Sequence, residues 1–186
     1  MCVSGQGTNL RNLVQRGFDV VAVATNRPSC GGAAFARERN IPLGELSQKS
    51  FGSAEERDAA MRDFFQAHGV QLVVDAGYDR VHTAPLLAAY RERIINVHPS
   101  LLPEFAGGMD AIEQALRAGA SRTGVTVHIV TDRLDAGPIL VQEPVPILAG
   151  ETADTLRQRV HEAEYRVLPA AIRLMEELIA QSPAVG

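Results

Sequence analysis

Short apolar runs exchange along this chain with stretches in which apolar residues recur every three or four positions, and that exchange predicts its elements. Asp19 to Asn26, Gln71 to Tyr78 and Ile94 to Val97 are of strand length with few polar breaks. Such runs suit parallel strands covered by helices on both faces. Between them, Leu10, Leu13 and Val14 fall at helical spacing, as do Ala34 and Phe35 within Gly31 to Asn40, and Met61, Phe64 and Phe65 within Ser53 to His68. Gly69 is a natural stop for the last of these, and further helices are expected from Pro85 to Arg93 and from about Asp110 to Ala118. The regular order implies an α/β fold, a doubly wound, mostly parallel sheet with right-handed crossovers.

The last third of the chain reads differently. Gly124 to Thr131 alternates like a strand, Asp132 to Pro138 forms a turn, and Ile139 to Ile147 returns extended, with Pro144 and Pro146 marking an edge. This predicts an antiparallel C-terminal extension of the sheet. Thr152 then caps a long helical stretch with Leu156, Val160, Ala163 and Val167 on one stripe, which Pro169 is expected to interrupt.

Length and composition narrow the class. The 186 residues, 46% hydrophobic, fit one domain, 1–186, able to bury a sizeable core. A net charge of -4 without a dense Lys/Arg run argues against nucleic acid as a partner. No apolar stretch approaches the roughly 20 residues that span a bilayer, and the start lacks the zones of a signal peptide. Only Cys2 and Cys30 are present, so a disulfide framework is not expected and a reduced, cytoplasmic setting is. His68, His82 and His161 read as surface or helix-end residues, and no metal site is expected.

Candidate chemistry concentrates in two places. In Ile94-Ile95-Asn96-Val97-His98-Pro99, period-two alternation turns Asn96 and His98 to one face, and Pro99 favours a strand end just there. An amide beside an imidazole offers a donor for a developing oxyanion and a proton source near neutral pH. The same segment is equally consistent with a satisfied histidine at a sheet edge. The second place is Ser4-Gly5-Gln6-Gly7-Thr8-Asn9, where only Met1 to Val3 precede a glycine-rich turn that opens a helix. Uncommitted N–H groups and the positive end of the helix dipole would suit a phosphate there, although the sequence is neither a P-loop nor GxGxxG and a plain strand-to-helix turn fits too. In a doubly wound sheet, Gly5 to Asn9, Tyr78 to His82 and Asn96 to His98 would gather beyond the carboxyl ends of the strands.

The segments Ser4 to Leu10, Asn96-Val97-His98-Pro99-Ser100-Leu101-Leu102-Pro103, and Thr123 to His128 leading into Asp132-Arg133-Leu134-Asp135-Ala136-Gly137-Pro138 together resemble the folate-dependent phosphoribosylglycinamide formyltransferases, over nearly the whole chain and in the same order. That resemblance implies a Rossmann-like formyltransferase domain using 10-formyltetrahydrofolate as co-substrate. It implies Asn96, His98 and Asp135 as the catalytic set, and Gly7, Thr8 and Asn9 as the holders of the substrate phosphate. Asp79, Arg80, Val81 and His82, with Thr131, Asp132, Arg133, Leu134 and Asp135, would border the folate, and Thr126 and His128 would stand near the site. Glu164, by itself a solvated helix carboxylate, would meet the glycinamide amine or its ribose. Asp135 beside His98 would favour and orient an imidazolium.

The resemblance also marks departures. The family's pocket turn has apolar ends where this chain has Asp79 and His82, and an Arg expected near the start of the third helix is Ala54 here, with Arg57 one turn on. The loop Phe105 to Met109 lacks the family's Pro. Related formyltransferases acting on methionyl-tRNA or a nucleotide sugar, and the formyltetrahydrofolate hydrolase, are alternatives; the tRNA enzyme would carry a basic C-terminal domain and the hydrolase an N-terminal regulatory one. A non-catalytic module for anionic metabolites is a further reading, against which Asn96, His98 and Asp135 all speak. Partners are expected to be small-molecule substrates, with no nucleic acid or membrane, in a monomer or homodimer.

Overall fold

The computed structural model describes residues 1–108 and 110–181. Among them seven strands, β1 (Cys2–Val3), β2 (Val23–Thr25), β3 (Leu43–Glu45), β4 (Val73–Ala76), β5 (Ile94–His98), β6 (Arg122–Ile129) and β7 (Ile139–Pro146), form a sheet in the order β3-β2-β1-β4-β5-β6-β7. Helices α1 (Thr8–Gln15), α2 (Gly31–Glu38), α3 (Ala54–Ala67), α4 (Ala84–Ala89), α5 (Ala111–Arg117) and α6 (Ala153–Gln181) fall between and after the strands. β1 runs parallel to β2 and β4, and β2 to β3, whereas β6 and β7 are antiparallel. The doubly wound, mostly parallel sheet with an antiparallel C-terminal extension is therefore what the chain forms.

Two compact units divide the chain: Met1–Asn96 with Val130–Leu134, and Val97–Ile129 with the chain from Asp135 onward. In the first unit Cys2, Ala24, Val73 and Ile94 from the strands pack with Met61 and Phe65 of α3 and Leu86 of α4. Met61 and Phe65 are one helical turn apart and fully buried, each contributing about 1.5–3 kcal/mol by leaving water. Ser53 opens α3 by accepting the Glu56 N–H, while the Glu56 carboxylate accepts the Gly52 N–H. Gly69, at φ 67°, ends the turn that follows. α4 stops at Ala89, short of the Arg93 expected from sequence, and Glu92 at φ 59° turns the chain into β5.

In the second unit the β6/β7 ladder runs from Arg122 opposite Pro146 to His128 opposite Ile139, with an irregularity between Val127 and His128. α6 packs on both strands, and Leu156, Val160, Ala163 and Val167 along its expected stripe are buried. The expected interruption at Pro169 is not found, since α6 continues through it to Gln181. Leu168, Ala171, Ile172 and Met175 are buried on either side of the proline, and this packing outweighs the one backbone bond that proline removes.

Candidate functional site

In the first unit the strand order reverses between β1 and β4, the position where doubly wound sheets bind ligands. The loops after both strands meet there. Ser4 N donates to Gly77 O at 3.0 Å, and Asp79 N donates to Ser4 Oγ at 3.1 Å. Gly7 stands at φ 71° as the N-cap of α1, and a Cβ there would lie 2.5 Å from Gly32 Cα, so only glycine fits. No side chain caps α1 and no acidic residue stands in its first turn, which Thr8 and the buried Asn9 begin. Such a helix start attracts an anion.

The residues of the turn after β4 occupy different surroundings. The Asp79 carboxylate is drawn to the strand ends, accepting from Asn26 Nδ2 at 2.7 Å and pairing with Arg27. Arg80 and Val81 are exposed. His82, expected at the surface or a helix end, directly precedes the Thr83 N-cap of α4 and is only 4% exposed; it stacks on Tyr78, and its Nε2 lies 2.9 Å from Asp75 Oδ2. The sequence signal for this was Asp75 itself, a carboxylate inside an apolar strand that must be paired when buried. Arg57 is buried against Asp58 and donates to Val81 O at 3.0 Å, and Asp58 accepts from Thr83 N at 2.5 Å. The backbone of the turn is thereby held at two points. In the segment after β6, Thr131 Oγ1 hydrogen-bonds the backbone of Arg133, while Asp132, Arg133 and Leu134 are exposed.

The second unit holds an acid–base cluster. His98 ends β5 because Pro99 follows it, and Asp135 sits in the β6/β7 turn at φ 48°, a conformation an Asp tolerates better than most residues. His98 Nδ1 lies 3.7 Å from Asp135 Oδ2, and His98 Nε2 is 3.1 Å from Phe105 O. The carbonyl can only accept, so Nε2 donates to it, and Nδ1 faces a carboxylate that also only accepts. His128 Nε2 approaches Asp135 Oδ1 at 3.5 Å, and Gly107 N donates to Asp135 Oδ2 at 2.8 Å. Hydrogen bonding from His128 foremost, then from Gly107 N–H, with the charge of His98 beside it, holds the Asp135 carboxyl below the usual carboxylate range against the opposing effect of burial.

Thr126 supports this end of the unit: its Oγ1 donates to Ser100 O at 2.7 Å and accepts from Leu102 N at 3.0 Å. Asn96 is half-buried two residues before His98 on β5. Glu164 is 6% exposed on α6 rather than solvated. Met109, the last residue of the expected loop, lies outside the described residues. The contributions of the Phe105 carbonyl and the Gly107 N–H carried no side-chain signal beyond the glycine content of that loop.

An imidazole at a strand tip, with a carboxylate from a distant turn 3.7 Å away, is an arrangement that suits acid–base group transfer. The profile of the formyl transferase family matches residues 1–172. The chain belongs to the formyl transferase family, whose chemistry uses a folate-type formyl donor. It is 36% identical to the phosphoribosylglycinamide formyltransferase of Bacillus subtilis, over 91% of this chain and 90% of that protein. It is 38% identical to the trifunctional purine biosynthetic protein adenosine-3 of Gallus gallus over 99% of this chain, which spans only 19% of that protein's length. The crystal structure of glycinamide ribonucleotide transformylase 1 from Symbiobacterium toebii superposes with a TM-score of 0.90 at 40% identity, over 95% of this chain and 85% of that one.

Proposed function

We propose that this chain transfers the formyl group of 10-formyltetrahydrofolate to the amine of 5-phosphoribosylglycinamide, in de novo purine biosynthesis, with residues 1–186 acting as one domain in the cytoplasm on small-molecule substrates alone. The observation that carries this reading is Asp135 turned onto His98, with His128 and Gly107 fixing the carboxylate from its other sides.

The substrate amine attacks the formyl carbon and a tetrahedral oxyanion develops. Asn96 and protonated His98, whose Nε2–H exchanges the Phe105 carbonyl for the oxyanion while Nδ1 stays with Asp135, stabilise it, a role in which losing one donor typically slows turnover by ~10² to 10³. Asp135 orients the His98 ring and balances its positive charge, and the proton leaves the amine for the departing folate nitrogen through His98 or a water. Gly7, Thr8 and Asn9 receive the substrate phosphate at the start of α1. Glu164 meets the amine or its ribose. Asp79 to His82 and Thr131 to Asp135 border the folate, to which Val81 and Leu134, 57% and 58% exposed, offer apolar surface.

The direct test is spectroscopic release of tetrahydrofolate on mixing protein, formyl-folate and the glycinamide ribonucleotide, with a nucleotide-sugar amine as the control acceptor. Release with the ribonucleotide alone is expected. Release with the sugar amine alone would transfer the protein to another branch of formyl chemistry.

A further inference from the structure

Within the first unit, the cross-strand register sets Cys2 of β1 directly opposite Asp75 of β4. Neighbouring residues in parallel register lie about 4.8 Å apart and project their side chains to the same face, so the thiol and the carboxylate stand side by side. The turn after β4 returns His82 to the same spot. The Sγ of Cys2, a carboxylate oxygen of Asp75 and a ring nitrogen of His82 all lie within 4.8 Å of one another, and the three residues are 0%, 5% and 4% exposed. Formyl transfer as proposed above uses none of these three side chains for chemistry.

We infer that Cys2, Asp75 and His82 form a binding site for a divalent cation of borderline softness, of the zinc type. Thiolate, imidazole and carboxylate are the donors such an ion takes. Their charges suit it, because a thiolate and a carboxylate with a neutral imidazole balance a dication, and the adjacent Arg57–Asp58 pair balances itself. The outer layer also suits it. With His82 Nε2 on the metal side, where Asp75 Oδ2 is 2.9 Å away, His82 Nδ1 faces Asp58 Oδ2 at 3.9 Å. Closing that gap by about 1 Å on metal binding would complete the carboxylate–histidine–metal relay that orients ligating imidazoles. Asp58 is itself held by the N–H and hydroxyl of Thr83.

Unused valence remains at the same place. Asp75 Oδ1, His82 Nδ1 and Tyr78 Oη have no hydrogen-bond partner among the described residues, and the Tyr78 ring is stacked on His82 at 5.2 Å. A water would supply the fourth position. Donors around a tetrahedral zinc stand about 3.4–3.6 Å apart, so closing the site draws the side chains inward by on the order of 1 Å. The bound ion would pin β1, β4 and the turn at His82 to one another.

Cobalt(II) is the probe, because the chain has only two cysteines and a thiolate–cobalt charge-transfer band reports which one binds. Adding cobalt to the metal-stripped full chain is expected to give that band, saturating at one equivalent, in the parent protein and in Cys30→Ser. Cys2→Ser and His82→Gln are expected to lose it, with folding followed separately by circular dichroism. Zinc at about a hundredfold excess over its Kd is expected to raise Tm by about 5–10 °C. A parent protein without a cobalt–thiolate band and with an unmoved Tm in zinc would overturn the site, as would a band that survives Cys2→Ser. Both readouts are independent of turnover, so the formyl-transfer reading stands or falls separately.

Discussion

Asp135 combines three constraints: a left-handed backbone, two imidazoles and the Gly107 N–H. Asn tolerates the same backbone, so Asp135→Asn removes the charge with little change of shape. A depressed folded-state pKa contributes stability that is fully present above the unfolded carboxylate value, near 4, and is lost as pH falls through that value and below. The urea midpoint of the parent is therefore expected to exceed that of Asp135→Asn at about pH 7, and the gap to shrink from about pH 4 downward. A gap independent of pH would contradict the assigned charge. Asn96→Ala is expected to lower kcat by ~10² to 10³ with the fold retained; unchanged kcat would remove Asn96 from oxyanion stabilisation. At this scale the sequence pointed to His98 and Asp135, which stand far apart in the chain in different elements and which the fold brings within 3.7 Å of each other. It was only half legible where burial decides, as with His82: Asp75 inside an apolar strand signalled a buried partner, but not that His82 seven residues on, beside Asp58 across the unit, would be it.

Among the elements, the turns and strands are set by close approaches that only small residues permit. A Cβ on Gly124 of β6 would lie 2.4 Å from Glu143 O and 2.5 Å from Leu101 Cδ2. Gly124→Ala is expected to destabilise by about 1–3 kcal/mol, read as a lower urea midpoint at constant slope. Gly5→Ala, with nothing within 4 Å of the added carbon, is expected to leave stability nearly unchanged; equal effects of the two would refute steric control. Gly7→Ala collides with Gly32 and so mixes folding with binding. Thr8→Ala is the cleaner probe of the phosphate site proposed at the start of α1, and is expected to raise KM for the ribonucleotide severalfold with kcat little changed. The sequence located the six α-helices of the described residues but not the 3-10 turn Gln48–Ser50, and the ends of α4 and the passage of α6 through Pro169 follow from packing on both sides, which a one-dimensional pattern does not contain.

For the molecule as a whole, the alternation of strand and helix sufficed to give a parallel sheet, and Pro144 with Pro146 marked the antiparallel edge that β7 forms. The register that sets Cys2 opposite Asp75 was not legible, because β1 has only two residues and carries no period of its own. No described helix is long and apolar enough to cross a membrane. The proposed formyl transfer depends on one pairing, that of His98 with Asp135, and on the proton traffic through it. Its most direct test is the turnover of purified, folded Asp135→Asn against the parent, with formyl-folate and glycinamide ribonucleotide both saturating. A kcat lower by ~10² to 10⁴, with both KM values near those of the parent, is the expected result; a variant turning over at close to the parent's rate would contradict the mechanism.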